Sequence, residues 1–361
     1  MVVRVSLRSA WSVLALTGLV NAGCFATRVP PQPTPEQATE LPFDSMWQEK
    51  AGAGFSGSMV VTDSVIYAGS MNRKVYAIEV ATGKQLWNKR LSGAIVGGVA
   101  RSGDTLFIGT DRPNGRIRAV HSRNGKKVWE TRTPRISVPL IVRDGLVIAH
   151  ANDGVLYAFH TWDGGYEWET VVGTALAGPR PGDAGVLIAT TLDSIFRVSL
   201  DDGRILQRRL SPGTITSEWI ESGPYLIGGS TANKVVKLDR RDLSIVWEVD
   251  TDSEVLVSPL VSGDTVYAVT RRGNLYRIDP GDAPTAQLLA QLRWPVTAPV
   301  SRYRNWLLIG GADGVIRALE EDGSEAWRLV LWQPVAVPPI VMEDGFVAFG
   351  GVGDIHRFTM P

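Results

Sequence analysis

The sequence predicts an all-β fold, an eight-bladed β-propeller whose blades are four-stranded antiparallel sheets. Three observations predict it: a repeat of about forty residues, short alternating apolar segments within each repeat, and a tryptophan column that begins half a repeat early. Helical repeats of this length need an apolar period of about 3.6 residues and few internal turns. The 361-residue chain instead carries 38 Gly and 21 Pro, spread along its length.

One column of the repeat marks the start of the first strand of each unit and is mostly proline. Its members are Met59, Val99, Pro139, Pro179, Trp219, Pro259, Pro299 and Pro339. Proline is tolerated at this position because the first residue of a strand can lack an N–H without breaking the ladder. The number of members predicts eight blades.

Within a repeat, short strands alternate with turn signals. The first repeat contains the segments SVIYAG (64–69), KVYAIE (74–79) and KQLWNKRL (84–91). Turn dipeptides such as Thr82-Gly83 and Asp202-Gly203 separate the strands, because glycine adopts the positive φ that tight turns require. The pattern predicts blades of antiparallel strands.

The tryptophan column predicts how the ring closes. Its members are Trp47, Trp87, Trp129, Trp168, Gln207, Trp247, Gln287 and Trp327. The first member has no blade of its own, and the last unit, residues 339–358, has no fourth strand. We therefore expect the strand around Trp47 to complete the last blade, which would remove exposed sheet edges. The two glutamines predict weaker contacts between their blades and the next.

The N-terminus has the features of an export signal. Arg4 and Arg8 precede an apolar run over residues 10–20. Such a run is too short to cross a bilayer as a helix but has the length of a signal-peptide core. We expect residues 1–23 to be a signal peptide.

Cys24 is the only cysteine of the chain, and it follows Asn21-Ala22-Gly23. This segment resembles the lipobox of bacterial lipoproteins, which implies cleavage before Cys24 and lipid attachment to its thiol. The alternative is a single thiol in an ordinary signal peptide. Residues 24–42 then form a lipidated, proline-rich tether of extended conformation, and residues 43–361 form the propeller.

Charge and residue spacing argue against several functions. The 37 basic residues balance 37 acidic ones, so no global field attracts nucleic acid, and none is expected as a partner. The four histidines, His121, His150, His160 and His356, show no metal-ligand spacing. Acidic residues occur next to glycine, where hairpin turns explain them. We expect no catalytic residues, no metal and no cofactor.

The segment AIEVATGKQLW (77–87) resembles the tryptophan-docking repeat of pyrroloquinoline-quinone-type propellers. Repeats two and three keep the pattern around Trp129 and Trp168, and the resemblance covers about residues 42–361. The enzymatic members of this class are quinoprotein dehydrogenases, which are much longer and carry covering loops and a Ca²⁺ site. Because these features are absent from the sequence, quinone-dependent catalysis is the least favoured function.

An exported, lipidated propeller of this repeat type is similar to the propeller lipoproteins of the outer-membrane β-barrel assembly machinery. That family implies a non-catalytic scaffold at the outer membrane, facing the periplasm. Its partner is the set of periplasmic domains of the barrel assembly subunit. The contact surface lies on the loops between blades three, four and five, which correspond here to residues 171–178 and 211–218.

Five residues near these loops are candidates for partner contacts. Trp219 and Trp332 are expected to be exposed anchors, because tryptophan is enriched at binding hot spots. Leu176, Arg180 and Glu218 are expected beside them on the same face. The alternative for each tryptophan is burial in the core or between blades.

The arginine pairs 208–209, 240–241 and 271–272 have two interpretations. They are solvated charges at strand ends, or they line a propeller mouth that meets an acidic partner. An alternative function also stays open: a general propeller lipoprotein of the envelope that binds another protein or a glycan.

Overall fold

A computed structural model of the chain describes residues 41–113, 115–183, 185–279, 284–331 and 333–359. These residues form eight four-stranded antiparallel sheets, as the sequence predicted. No helix in the described ranges has the length and apolar character needed to cross a bilayer. Residues 1–40, including Cys24 and the signal-peptide and tether assignments, lie outside the described part.

The strands are numbered in chain order and the blades from the first complete one. Blades 1 and 2 contain β2 (Val60–Val61), β3 (Val65–Gly69), β4 (Lys74–Glu79), β5 (Gln85–Arg90), β6 (Val99–Ser102), β7 (Thr105–Thr110), β8 (Arg116–His121) and β9 (Lys127–Arg132). Blades 3 and 4 contain β10 (Ile141–Arg143), β11 (Leu146–His150), β12 (Val155–His160), β13 (Tyr166–Val171), β14 (Arg180–Gly182), β15 (Gly185–Thr190), β16 (Ser194–Val198) and β17 (Ile205–Leu210).

The second half of the ring has the same organisation. Blades 5 and 6 contain β18 (Ile220–Ser222), β19 (Tyr225–Ser230), β20 (Lys234–Asp239), β21 (Ile245–Asp250), β22 (Leu260–Ser262), β23 (Thr265–Val269), β24 (Asn274–Asp279) and β25 (Thr285–Gln291). Blades 7 and 8 contain β26 (Ser301–Tyr303), β27 (Trp306–Gly310), β28 (Val315–Leu319), β29 (Glu325–Val330), β30 (Ile340–Met342), β31 (Gly345–Phe349), β32 (Asp354–Thr359) and β1 (Asp44–Lys50).

The ring closes as predicted, because β1 pairs antiparallel with β32. The register runs from Asp44 opposite Thr359 to Lys50 opposite Asp354. Just before β1, Phe43 is buried and makes an edge contact with the Trp327 ring at 4.8 Å between centroids. The two ends of the chain therefore complete one sheet and also fill the contact between blades 7 and 8.

Neighbouring blades contact each other through a repeated tryptophan–glycine arrangement. The Nε1–H groups of Trp87, Trp129 and Trp168 donate to backbone oxygens in the next blade's turn before its fourth strand, at 2.7–2.9 Å. That turn contains a glycine with φ near +70°, at Gly125 and Gly203 for example. A Cβ atom at either glycine would lie 2.7 Å from an indole carbon, so the glycine supplies both the φ and the space.

The contact between blades 4 and 5 is built differently. Gln207 replaces the tryptophan, and its side-chain amide donates to the backbone oxygen of Asp242. Leu243 occupies the turn position of the glycine, with φ of +58°, and is buried. The amide thus keeps a hydrogen bond to the next blade, while the leucine packs where other blades leave room for an indole.

The hydrophobic core is divided into clusters that lie between adjacent blades. One cluster joins Ile148 and Leu156 of blade 3 to Val186 and Ile188 of blade 4, all with no more than traces of exposed surface. Every pairing of a third with a fourth strand also has a register shift, which bends the outer strand. Each blade therefore depends mainly on its two neighbours for stability.

Candidate interaction surface

The two predicted loops lie at one end of the propeller, called here the loop face. This end carries the connections from each fourth strand to the next first strand. One loop joins β13 to β14 and the other joins β17 to β18, as expected. The opposite end, called the turn face, carries the turns before the second and fourth strands.

The turn between β15 and β16 lies between the two loops and connects them. Thr191 N–H donates to the Thr174 oxygen at 2.8 Å, and Ser211 N–H donates to the Asp193 oxygen at 2.9 Å. The Thr214 hydroxyl donates to the Asp193 carboxylate at 2.9 Å. Loops with this many internal bonds have a defined shape, which reduces the ordering cost of binding a partner.

Three large apolar side chains project from this region. Val171 ends β13, Leu192 lies in the β15–β16 turn, and Leu210 ends β17. Their exposed fractions are 73%, 66% and 73%, the highest values among the exposed large apolar residues of the described chain. We call these three residues the junction surface. Exposed large apolar side chains at one end of a fold are candidate protein contacts. Leu192 and Leu210 were not among the predicted contact residues, because sequence pattern alone does not show exposure at turns and strand ends.

The structure brings three of the predicted contact residues together. Arg180 and Glu218 form an ion pair at 2.7 Å that joins blade 4 to the loop before β18, with both side chains about one-third exposed. Leu176 and Glu218 line an axial cavity of about 160 Å³. These residues therefore lie at the inner edge of the loop face, where their contact with a partner stays a prediction.

Trp219 was expected to be exposed, and this expectation is wrong. The side chain is 1% exposed and packs with Ile215 and Leu226. The space for its ring comes from Gly228, where a Cβ atom would lie 2.9 Å from the indole. The alternative of core burial is the correct one. Trp332, the other expected anchor, lies outside the described residues.

A buried histidine supports the loop between β13 and β14. The Nε2–H of His150 donates to the Gly173 oxygen at 2.8 Å, and the side chain is almost fully buried. Burial lowers the pKa of His150, although the bond to Gly173 and the charge of Asp153 oppose this shift. The imidazole is neutral at pH 7. Acidification through its ordinary pKa therefore favours the unfolded chain, in which the imidazole takes up a proton more readily.

The carboxylates next to glycine have structural roles in turns. Asp163 accepts from the Gly165 N–H at 2.8 Å and Asp153 accepts from the Val155 N–H at 3.1 Å. Across the described ranges, no group of three or more His, Cys, Asp or Glu side chains has a geometry suited to a metal ion. The described side chains that face the loops are suited to binding through shape, apolar contact and charge.

Two of the three arginine pairs lie away from a propeller mouth, which was the second of the two interpretations given above. Arg208 and Arg209 lie on β17, the outermost strand of blade 4 and the one farthest from the axis. Arg240 and Arg241 occupy the turn before the outermost strand of blade 5. These two pairs therefore lie at the periphery of the propeller, because third-to-fourth turns and fourth strands are always on its outside.

Eight blades, closure between the two ends and the tryptophan–glycine contacts define a propeller of the pyrroloquinoline-quinone repeat class. A family model described as "Outer membrane protein assembly factor BamB" matches residues 44–176, 93–218 and 192–286, which together span more than half of the chain. The chain belongs to this BamB family.

Individual relatives agree with the family assignment. The chain is 23% identical over 368 residues to the outer membrane protein assembly factor BamB of Yersinia pestis, covering 91% of each sequence. The crystal structure of BamB from Moraxella catarrhalis superimposes with a TM-score of 0.76 at 17% identity, covering 88% of this chain and 99% of that one. A europium-containing methanol dehydrogenase superimposes with a TM-score of 0.67 at 13% identity, covering 86% and 85%, so the fold itself is shared with enzymes.

Proposed function

We propose that this protein is a non-catalytic scaffold that assists the assembly of β-barrel proteins into the outer membrane. Its family membership supports the process, and the junction surface supports the way it acts. Val171 and Leu210 end β13 and β17, and Leu192 lies in the turn between β15 and β16, whose backbone is hydrogen-bonded to both neighbouring loops. This arrangement is suited to docking a folded partner with little loss of conformational entropy.

The partner in this proposal is another envelope protein, the periplasmic domains of the barrel assembly subunit. The apolar centre of the junction surface would be covered by the partner, and the Arg180–Glu218 ion pair would lie at its inner edge. An apolar centre with a charged edge is the usual organisation of a protein interface. Leu176 and Trp332 remain candidate contacts in this proposal.

The proposal includes a lipid anchor. Cys24 would carry lipid after removal of residues 1–23, and residues 24–42 would connect it to the propeller at the periplasmic side of the outer membrane. One support is the length of the apolar run before Cys24. Radiolabelled palmitate should be incorporated into the wild-type protein and not into Cys24→Ala.

Affinity purification from detergent-solubilised membranes tests the contact. The tagged wild-type protein should recover the barrel assembly subunit, and Leu192→Asp should reduce this recovery on the order of tenfold, since it places a charge in the apolar centre. Met71→Asp is the matched control: Met71 is 57% exposed and occupies the corresponding turn of blade 1. It should leave recovery unchanged.

The outcomes separate the alternatives. Equal loss with Leu192→Asp and Met71→Asp would contradict a contact at the junction surface. If the wild-type protein recovered a different envelope protein and no assembly subunit, the proposed process would be wrong. A general recognition module would then be the better description.

A further inference from the structure

Positive charge is concentrated in one part of a chain whose total charge is zero. Residues 80–135 contain twelve Lys and Arg but only three Asp and Glu, whereas the whole chain has 37 of each class. This segment includes β5 and all of blade 2. Of its three carboxylates, Asp104 lies in the turn between the two inner strands of blade 2, and Asp111 pairs with Arg135 at 4.0 Å.

The directions of the side chains show which of these charges share a space. On β8, Ile117 packs in a cluster with residues of blade 3. The alternate residues Arg116 and Arg118 therefore project toward blade 1. Their cross-strand partners on β9, Arg132 and Glu130, project to the same side.

Two lysines extend this space on the outside of the propeller. Lys89 of blade 1 lies over the turn before β9, since a Cβ atom at Gly125 would lie 2.7 Å from the Lys89 Cγ atom. Lys127 begins β9 opposite Val120, which packs in a cluster with residues of blade 1. We call the five cations between blades 1 and 2 the cationic surface: Lys89, Arg116, Arg118, Lys127 and Arg132.

The cationic surface has more positive charge than its neighbours neutralise. Its one carboxylate, Glu130, contacts Arg116 at 2.8 Å and also contacts Arg118. Glu79, at the end of the neighbouring β4, accepts a hydrogen bond from Thr82 in its own turn. Within the described part of the chain, the other three cations have no carboxylate at ion-pair distance, and all three are exposed.

Comparison with another blade shows that this surplus is not required by the fold. Arg116 and Arg132 lie directly opposite each other on β8 and β9, and opposed like charges destabilise a sheet. The equivalent residues of blade 5 are Lys234 and Asp250, which form an ion pair at 2.7 Å. The Nε atom of Arg116 is also buried without a hydrogen-bond partner among the described residues. An anion beside blade 2 would reduce the repulsion.

The composition of the surface favours phosphate groups as that anion. The exposed large apolar residue of β9 is Val128, at 38%, so the region lacks the apolar centre of a usual protein interface. Phosphate oxygens need only the charged donors. The membrane is also within reach, because Leu41 packs against the cluster between blades 7 and 8. A tether from Cys24 to Leu41 would span at most about 50 Å.

We propose that the cationic surface binds the phosphate headgroups of anionic phospholipids in the membrane that carries the anchor. This inference rests on the lipid anchor of the proposed function and deepens it, because it assigns the side of the propeller that lies against the membrane. The junction surface belongs to blades 3 and 4, so the membrane and the protein partner would contact different parts of the ring.

Sedimentation with lipid vesicles tests the proposal on purified Cys24→Ala, which cannot be lipidated at position 24. The protein should bind phosphatidylcholine vesicles that contain about 30% phosphatidylglycerol, and it should bind pure phosphatidylcholine vesicles at least about tenfold more weakly. Raising NaCl from about 100 mM to about 500 mM should release it, because the contacts are exposed charges.

Two double variants, made in the same Cys24→Ala background, locate the contact. Lys89→Gln/Arg132→Gln should lower affinity for the anionic vesicles on the order of tenfold, since a cation near an anionic membrane contributes about fivefold. The control Arg204→Gln/Arg241→Gln removes the same charge from exposed positions that already pair with a carboxylate in their own turns. It should change affinity less than about twofold.

The outcomes separate this inference from its alternatives. Equal binding to both kinds of vesicle, or equal losses in the two double variants, would overturn it. Release by inorganic phosphate, where NaCl of the same ionic strength releases nothing, would show a free-anion site instead. Absence of vesicle binding, together with reduced recovery of the assembly subunit by Lys89→Gln/Arg132→Gln, would show an acidic protein partner. Failure of palmitate labelling would contradict the anchor alone, because vesicle binding is measured without it.

Discussion

The two contacts of blade 4 with its neighbours differ in the residues that fill the space between an outer strand and the next blade's turn. Toward blade 3, Trp168 lies over Gly203 and donates its Nε1–H to the Leu200 oxygen at 2.7 Å. Toward blade 5, Gln207 donates to the Asp242 oxygen and Leu243 is buried beside it. The ring and the turn residue therefore change together: a large ring needs glycine, and a small amide permits leucine.

A third arrangement occurs where the ring closes. Trp327 has no complete turn opposite it, because β32 ends and β1 begins at that position. Phe43 fills this space and contacts the rings of Trp327, Phe346 and Phe358 at 4.8–5.2 Å between centroids. Of these three contacts, only the closure contact depends on residues near both ends of the described chain. We therefore expect truncation of a side chain there to lower the free energy of unfolding most.

Phe43→Ala should have the largest effect on stability. Removing a buried ring with three aromatic neighbours typically costs about 3 to 5 kcal/mol, through lost burial and the cavity that remains. Urea unfolding followed by tryptophan fluorescence measures this loss. Met46→Ala, on β1 and 53% exposed, is the control and should cost less than about 1 kcal/mol. Equal costs for both variants would contradict the importance of the closure contact.

The architecture could be predicted because the same sequence pattern occurs in each of the eight repeats. The spacing of the tryptophans and prolines predicted eight blades, and the early position of Trp47 predicted the pairing of β1 with β32. A strand or turn that is uncertain in one repeat can be assigned from the equivalent positions of the other repeats, because all repeats form the same turns and contacts. The weaker contact expected at Gln207 stays a prediction, and the packing of Leu243 beside it could not be inferred from Gln207 because Leu243 belongs to the next repeat.

The candidate site was predicted only in part. Leu176, Arg180 and Glu218 were correctly expected to lie near each other, since the repeat defines which loops share a face. The sequence left exposure and burial of Trp219 as alternatives, because its burial depends on the absence of a side chain at Gly228 on a neighbouring strand. Exposure of Leu192 depends on what surrounds a turn, which a single sequence does not state.

Gly203→Ala tests the tryptophan–glycine contact and should have the next largest effect. The alanine would hold φ near +72° and place its Cβ 2.7 Å from Cε3 of Trp168. Gly223→Ala is the control, since Gly223 also has positive φ, at +57°, but has open space around its Cβ position. Strain in φ alone costs about 1 kcal/mol, whereas crowding of a packed ring adds about 1 to 3 kcal/mol. Similar unfolding midpoints for the two variants would show that the indole moves away at no cost.

A double-mutant cycle on Gln207 and Leu243 tests whether the two contacts are interchangeable, and its effect should be the smallest. Gln207→Trp alone should be destabilising because its ring meets Leu243, and Leu243→Gly alone loses a buried side chain. The double variant recreates the pair found at Trp168 and Gly203, so its loss of stability should be smaller than the sum of the single losses. The expected coupling is about 1 to 2 kcal/mol, within the range for residues in contact. Strict additivity would mean that the ring at position 207 and the turn residue at position 243 contribute to stability independently of each other.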